Sequence, residues 1–273
     1  MPIDAVLLPL LVKVATAALV VVVASIAAEK AGPFFGGMIS SLPVSTGPAY
    51  VLLAIEHDDR FIQGTALSSF VGNGAMILFL ATLVRIAPRC GLLVTVLASS
   101  ALWIGIAVGL RAAADWTLAT AILLNLVCYG LAFLMVRGHP QSQDGPLKKA
   151  EPRWYDIPAR AALVGVLVAT VTTLSHVIGP EATGIAAIYP IALTSLTVIL
   201  HQRLGGTTVA AAMRSALMTN PSLALALLTL YLMAEAFGRA TALSAALAMS
   251  LAWAGGLLVW RMHQMRRAVP NAL

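Results

Sequence analysis

The sequence predicts an all-α, polytopic membrane protein with nine transmembrane helices, in which two inverted-topology repeats of four helices flank one extra helix. Three observations lead to this fold class: the apolar composition, the number of long apolar runs, and a glycine and proline pattern that occurs twice. Of the 273 residues, 60% are hydrophobic and only 10% are charged, and the mean hydropathy is +0.91. Soluble domains carry about a quarter charged residues, so this composition excludes an ordinary water-soluble globule.

Nine apolar runs are long enough for transmembrane helices, since a helix needs about 20 apolar residues to cross the bilayer. Their approximate bounds are Leu7–Ala28, Pro33–Ile55, Phe61–Ala87, Gly91–Arg111, Trp116–Arg137, Ile157–Val177, Thr183–Leu200, Thr208–Ala234 and Thr241–Trp260. These runs predict four parts of the chain: a first repeat over residues 1–112, a linking transmembrane helix over 113–138, a cytoplasmic loop over 139–156 and a second, inverted repeat over 157–273.

The basic residues predict the orientation, because lysine and arginine are enriched in cytoplasmic loops. The central loop carries Lys148, Lys149 and Arg153, and the C-terminal tail carries further arginines. We therefore expect a multi-pass protein of a bacterial inner membrane, with its N-terminus outside and its C-terminus cytoplasmic. The net charge of +6 is spread over such loops, so nucleic acid is not an expected partner. The expected partners are the lipid bilayer and a small polar solute, and the oligomeric state stays open.

A pattern of helix breakers divides the chain into two related halves. Each copy reads Gly-Pro, then Gly, then Pro, and the copies are 147 residues apart. The members are Gly32, Pro33, Gly37 and Pro43 in the first half, and Gly179, Pro180, Gly184 and Pro190 in the second. Proline removes a backbone donor and glycine loosens a helix, so the second and seventh helices are predicted to be interrupted.

The repeat extends beyond these breakers. At the offset of 147, Lys13 aligns with Arg160 and Asn73 with Asn220, and the fourth and ninth helices align at an offset of 150. The fifth helix has no counterpart, and this single extra span inverts the second half relative to the first. Inverted repeats are typical of secondary transporters, which bind their substrates near the bilayer midplane on interrupted helices. Inverted pairing also occurs in channels, so symmetry alone does not decide the class.

Three stretches of the first half suggest a family: VKVATAALVVVVAS around Lys13, GGMISSLPVSTGPAY around Pro43 and LASSALW ending at Trp103. The four-helix unit that contains them resembles the GlpM family of small bacterial inner-membrane proteins. The resemblance covers about residues 11–111 and, with less similarity, 158–261, so the chain looks like a fused, duplicated version of that unit. It implies the fold, and an antiparallel pairing of the single-unit relatives, but no particular biochemical activity.

Polar residues on the interrupted helices and on the third and eighth helices are candidate substrate ligands. They are the hydroxyls of Ser45, Thr46, Thr194 and Ser195, and the amides of Asn73 and Asn220. Interrupted helices are tolerated in the bilayer only inside protein or beside a cavity, where the freed backbone groups find partners. The alternative interpretation is that the hydroxyls satisfy their own backbone and that the amides tie one helix to another.

Two cations near the starts of the first and sixth helices are further candidates. Intramembrane charge is a functional hypothesis by default, and a symmetric pair formed by Lys13 and Arg160 favours an anionic or polyhydroxylated solute. Inverted symmetry puts them near opposite faces of the membrane, where they suit two gates better than one shared site. The alternative is that both side chains extend along lipid and place their charges at the interface.

No catalytic motif is recognisable, and no cofactor or metal site is expected. The sequence therefore leaves two functions open for a protein that is not expected to be an enzyme. The first is a transporter or facilitator for a small polar solute, with its site at the repeat interface. The second is a non-transporting scaffold or assembly factor for an envelope lipid or polysaccharide pathway, in which the same polar residues serve only helix packing.

Overall fold

The computed structural model describes residues 11–20, 22–23, 46–113, 115–138 and 155–268. Every regular element in these ranges is an α-helix, numbered here in chain order as α1 Leu11–Val20, α2 Thr46–Glu56, α3 Asp59–Ile86, α4 Leu92–Ala112, α5 Leu118–Val136, α6 Asp156–Ala187, α7 Ile191–Leu204, α8 Gly206–Thr219, α9 Pro221–Phe237 and α10 Arg239–Ala268. Six helical stretches among the described residues are long and apolar enough to cross a membrane. The predicted all-α class is thereby confirmed for the described residues, and these helices are consistent with a helical membrane protein, while the number of nine transmembrane helices stays a prediction.

Several predicted features lie outside the described residues. They are the break in the second helix with Gly32, Pro33, Gly37 and Pro43, the adjacent Ser45, and most of the predicted loop over 139–156.

Helix α3 lies at the centre of the fold. Within its most apolar stretch 78% of the residues are buried, compared with 22% to 44% in the other five candidate spans. Its apolar side chains point in all directions, as expected for a helix surrounded by others, and Phe79, Ile62 and Leu80 are almost fully buried. The helix begins where the Asp58 carboxylate accepts a hydrogen bond from the backbone N–H of Phe61 at 2.9 Å. It packs against α4, α5, α6, α8 and α9, so it positions most of the other helices.

The predicted interruption of the seventh helix is confirmed. Helix α6 continues past the sixth predicted span and kinks at Gly179, whose φ of 74° suits a residue without a Cβ. It ends at Ala187, and α7 begins only after Pro190. The interrupted helix predicted over Thr183–Leu200 is thus divided at Pro190 between the end of α6 and α7.

The two asparagine positions behave differently from one another. In the second half, α8 ends at Thr219 and α9 begins at Pro221, so the single helix predicted over Thr208–Ala234 is divided. Proline explains this division, because it has no N–H to give to the preceding turn. In the first half, α3 runs through Asn73 without a break, since the glycines on either side keep their N–H groups.

The helix ends gather at two opposite faces of the bundle. On the Asp59 face, the Asp59 carboxylate accepts from the backbone N–H of Arg239 at 3.0 Å. On the Ala87 face, the backbone of Gly206 lies so close to Ala87 that an added Cβ would overlap the carbonyl oxygen of Ala87. The ion pair between Arg203 and Asp156 belongs to the same face, because the ring of His201 lies 3.1 Å from the carbonyl oxygen of Cys90. Helix α3 spans the two faces, a length of about 42 Å for 28 residues.

Candidate functional site

An asparagine cluster, formed by Asn73, Asn125, Tyr129 and Asn220, lies between α3, α5 and the start of α9. Asn73 is fully buried, and its Nδ2 donates to Asn125 Oδ1 at 2.9 Å. Asn220 Nδ2 donates to Asn73 Oδ1 at 3.1 Å, and the hydroxyl of Tyr129 donates to Asn220 Oδ1 at 2.7 Å. Asn125 donates in turn to the carbonyl oxygen of Phe70 at 2.8 Å. The cluster is therefore a hydrogen-bonded polar centre within an apolar bundle, where each amide has a partner in the protein.

The structure brings the two predicted amides together. Asn73 and Asn220 are in direct contact although they are 147 residues apart in the chain. Asn125 and Tyr129 complete the cluster, and both come from the helix that has no counterpart in the repeat. Neither Asn125 nor Tyr129 was among the predicted site residues, because the repeat pattern does not extend to their helix.

The predicted hydroxyl ligands bond to their own helix. The hydroxyl of Thr194 donates to the carbonyl oxygen of Pro190 at 2.9 Å, and that of Ser195 donates to Ala192 at 2.9 Å. Thr46 is buried at the start of α2. These contacts match the alternative interpretation of the hydroxyls, in which they satisfy backbone groups near the break.

A cavity of about 250 Å³ opens at the Asp59 face, between α3, the loop that joins α4 to α5, and the kink of α6. Its lining residues include Ser68, Val71, Arg111, Asp115, Pro180 and Glu181. Arg111 and Glu181 form an ion pair at 2.8 Å across its rim, and both side chains are about half exposed. The cavity thus combines charged groups at its mouth with apolar groups further in.

Among the predicted site residues that the structure describes, only Pro180 lines this cavity. Neither Glu181 nor Arg111 was among the residues predicted to bind a solute. Asp115 gave no signal at all. The sequence signal that could have located the cavity is the predicted break at Gly179, because the cavity lies beside this kink.

The kink region packs closely against α3. A Cβ on Gly184 would overlap the backbone carbonyl oxygen of Thr65 and crowd Ser68. Across this contact the hydroxyl of Ser69 donates to the carbonyl oxygen of Gly184 at 2.6 Å, and the hydroxyl of Tyr50 lies 2.7 Å from that of Ser69. The glycine of the repeated pattern therefore has a packing role in the second half, where two backbones approach each other.

Lys13 belongs to a cluster of ionisable residues, the Glu56 cluster, which also contains Glu56, His57 and His176. The ammonium group of Lys13 lies 2.8 Å from Glu56 Oε1, and His176 Nε2 lies 3.3 Å from Glu56 Oε2. His57 and His176 lie with their ring centroids 4.5 Å apart. The pKa of His57 is below its ordinary value, because burial disfavours the charged ring and His176 lies beside it. Both effects favour the neutral form of the ring.

The predicted pair of cations is not brought together. Lys13 lies near Thr173, toward the kinked end of α6, with its Nζ 3.5 Å from the threonine hydroxyl. Arg160 lies at the other end of α6, one turn after Asp156, which binds Arg203 through two hydrogen bonds of 2.6 Å. Whether either cation binds a solute stays a prediction.

Comparisons with known proteins give no relative for this chain: no family model, no curated protein and no solved structure matches it.

Proposed function

We propose that the chain is an integral membrane transporter or facilitator for a small polar solute, built from two inverted four-helix repeats. The observation that carries the proposal is the polar asparagine cluster, which is buried at the centre of the apolar bundle. Val71 lines the cavity and lies two positions before Asn73, but the two side chains point to opposite sides of α3, about 200° apart around its axis. Passage of a solute would therefore require α3 and its neighbours to move relative to one another.

The repeat itself is supported by contacts between equivalent positions. Asn73 and Asn220 are equivalent at the offset of 147 and hydrogen-bond to each other. Ala18 and Gly165 are equivalent at the same offset, and a Cβ on Gly165 would lie 3.6 Å from that of Ala18. Equivalent residues touch each other where a two-fold axis passes between them, because such an interface is self-complementary. Two such contacts favour one pseudo-two-fold axis that relates the halves.

The helix ends support the inverted orientation. Helix α3 starts at Asp59 on the Asp59 face, whereas its equivalent position, Gly206, lies against Ala87 on the opposite face. Adding the offset of 147 residues to the bounds of α2 gives residues 193–203, which fall inside α7. The contacts between elements are also reciprocal, since α4 packs on α7 while α10 packs on α2. These relations favour an axis in the membrane plane.

In this proposal the structure represents a state that is closed at its centre. The amides of the asparagine cluster bond to each other, and a polar solute would replace these bonds during passage. The breaks at Gly179 and Pro190 allow the second half to bend, and the ion pair of Arg111 and Glu181 would meet the solute at the mouth. A bacterial inner membrane with the Asp59 face outside, the kinship with the GlpM family and the absence of enzymatic activity all stay predictions.

A scaffold is the second candidate function, and one observation favours it. The described candidate ligands with hydrogen-bonding amides or hydroxyls bond to protein groups, and none of Asn73, Asn220, Thr194 or Ser195 lines the cavity. A protein that only holds partners together needs such bonds for packing and needs no path for a solute.

Thiol accessibility separates the two functions without knowledge of the solute. Cys90 and Cys128 are first replaced by serine or alanine, and single cysteines are then introduced at Ser68 in the cavity and at Asn73 and Asn220 in the cluster. A transporter or channel predicts that a membrane-impermeant maleimide labels the cavity position quickly and the cluster positions slowly. A scaffold predicts labelling at the cavity alone. Ser250→Cys, a buried site between α9 and α10, is the negative control.

The outcome that overturns the transport proposal is a complete lack of labelling at Asn73→Cys and Asn220→Cys from either side of the membrane. Labelling of Ser68→Cys under the same conditions would demonstrate that the reagent reaches the cavity. If the cluster positions do react, a thermal-shift screen of polar metabolites against the full chain in detergent then identifies the solute.

A further inference from the structure

Three metal-ligating side chains meet at the Asp59 face, outside the asparagine cluster and the cavity. Glu56 is the last residue of α2, His57 follows it, and His176 lies on α6 just before the kink. Their ligand atoms all lie within 4.8 Å of one another. We infer that Glu56, His57 and His176 form a binding site for a divalent cation of the zinc type. This inference does not depend on the transport proposal.

The choice of cation follows from the donor atoms. Two imidazoles and one carboxylate suit zinc and its first-row neighbours, whereas magnesium and calcium prefer sites made of oxygen atoms. Zinc binds such sets of three protein ligands and leaves a fourth position for water. Two ligands that are 2.0–2.1 Å from a tetrahedral zinc are about 3.3 Å apart. The observed distance of 3.3 Å between Glu56 Oε2 and His176 Nε2 already has this value.

His57 is the third ligand, and its position lets it adjust to a bound ion. It lies in the short connection between α2 and α3, so a small shift does not unwind either helix. Its ring is stacked on Phe61 at 3.7 Å, with the planes only 8° apart, and this contact restricts the ring to sliding within its own plane.

A hydrogen-bond chain determines which nitrogen of His57 is available. The hydroxyl of Ser175 donates its only proton to the carbonyl oxygen of Thr172, at 2.6 Å. His57 Nε2, at 2.7 Å from that hydroxyl, must therefore donate to it. In a neutral ring this leaves the lone pair on Nδ1, and coordination through Nδ1 keeps Ser175 as an outer support of the site. Metal-ligating histidines are commonly oriented by a hydrogen bond of this kind.

Lys13 is the competitor of the cation. Its ammonium group lies 2.8 Å and 3.1 Å from the two oxygens of Glu56, so it neutralises the carboxylate when the metal is absent. A divalent ion at the site would repel the lysine, and binding requires Lys13 to release Glu56 Oε2. A bound cation would then join α2 to α6 directly beside the kink at Gly179, and so would hold the two halves together on this face.

The test uses the full chain in detergent, freed of metal by a chelator and titrated with Co²⁺ as a spectroscopic substitute for Zn²⁺. We expect visible d–d absorption from the wild type, which Zn²⁺ then abolishes by displacement. His176→Gln removes a half-exposed ligand without disturbing the fold, and it should weaken binding by at least about tenfold. The matched control is His201→Gln on the Ala87 face, which should bind as the wild type does.

A second variant tests the competition separately. Lys13→Gln removes the competing charge while it keeps a hydrogen-bond donor for Glu56, and it should tighten Co²⁺ binding by at least about tenfold. The inference is overturned if the wild type binds no Co²⁺, or if His176→Gln and His201→Gln bind it equally. Weaker binding by Lys13→Gln would also contradict it, because Lys13 would then support the site.

Discussion

The hydrogen bond between Asn73 and Asn220 joins the two halves of the chain, and its removal tests the arrangement most directly. Asn220→Ala deletes the donor to Asn73 Oδ1 and the acceptor of the Tyr129 hydroxyl. Asn73→Ala deletes the same bond from the other side and also frees Asn125 Oδ1. Each single change therefore leaves two buried polar atoms without the partner they have in the wild type.

The magnitude follows from the number of bonds lost. A hydrogen bond between helices inside a membrane contributes on average about 0.6 kcal/mol and at most about 1.7 kcal/mol. With two bonds lost, we expect Asn73→Ala and Asn220→Ala each to lower the free energy of unfolding by about 1–3 kcal/mol. The double variant should lose less than the sum of the two, by about 0.5–1.5 kcal/mol, since both single changes remove the shared bond.

The assay is reversible unfolding in mixed micelles with rising SDS content, followed by circular dichroism for the wild type, both single variants and the double variant. Asn73→Ala combined with Ser222→Ala provides the control cycle. Ser222 is buried on α9 near Asn220, but its hydroxyl lies 2.7 Å from that of Ser250 and does not bond the cluster. Additivity of the Asn73 and Asn220 changes within about 0.3–0.5 kcal/mol would refute the direct contact and, with it, the proposed axis.

Three further predictions concern packing and charge. Gly184→Ala should cost about 1–3 kcal/mol in the same unfolding assay, because its Cβ meets backbone, whereas Gly105→Ala, which meets nothing within 4 Å, should be neutral or stabilising. Glu181→Gln should change stability by less than about 0.5 kcal/mol, since its ion pair is half exposed; a larger loss would contradict the open cavity mouth. Trp103→Ala should cost about 3–5 kcal/mol, but Trp103→Phe much less, because the buried Nε1 has no hydrogen-bond partner among the described residues. Equal losses for the two Trp103 variants would be the contrary result.

The fold was largely predictable because its signals are local. Long apolar runs indicated the helices, and breakers indicated the kink at Gly179 and the gap before Ile191. The division at Asn220 was underestimated, although Pro221 was visible, since a proline in a membrane helix is often tolerated when neighbours satisfy the freed groups. The glycines on either side of Asn73 do not interrupt α3, as the continuous helix predicted over Phe61–Ala87 requires.

The candidate site was less predictable because it depends on which side chains meet. The internal repeat identified Asn73 and Asn220 as candidate site residues, and the two side chains are in contact. The same symmetry gave no partner for Lys13, because Glu56, the carboxylate that it binds, was not among the predicted site residues. Asp115 could not be predicted either, because charged residues are common next to helix ends. Only the packing of the α6 kink nearby makes Asp115 part of a cavity lining.

The burial of α3 has a consequence for how the chain is made. Ribosomes deliver helices in order, so α3 enters the bilayer before α6, α8 and α9 exist to cover it. During that interval the amide of Asn73 lies in hydrocarbon, where it can hydrogen-bond only to a chaperone, to the translocon or to a second nascent chain. A product truncated after α5 would keep this uncovered surface permanently, and we expect it to be cleared by membrane proteases or to associate with copies of itself.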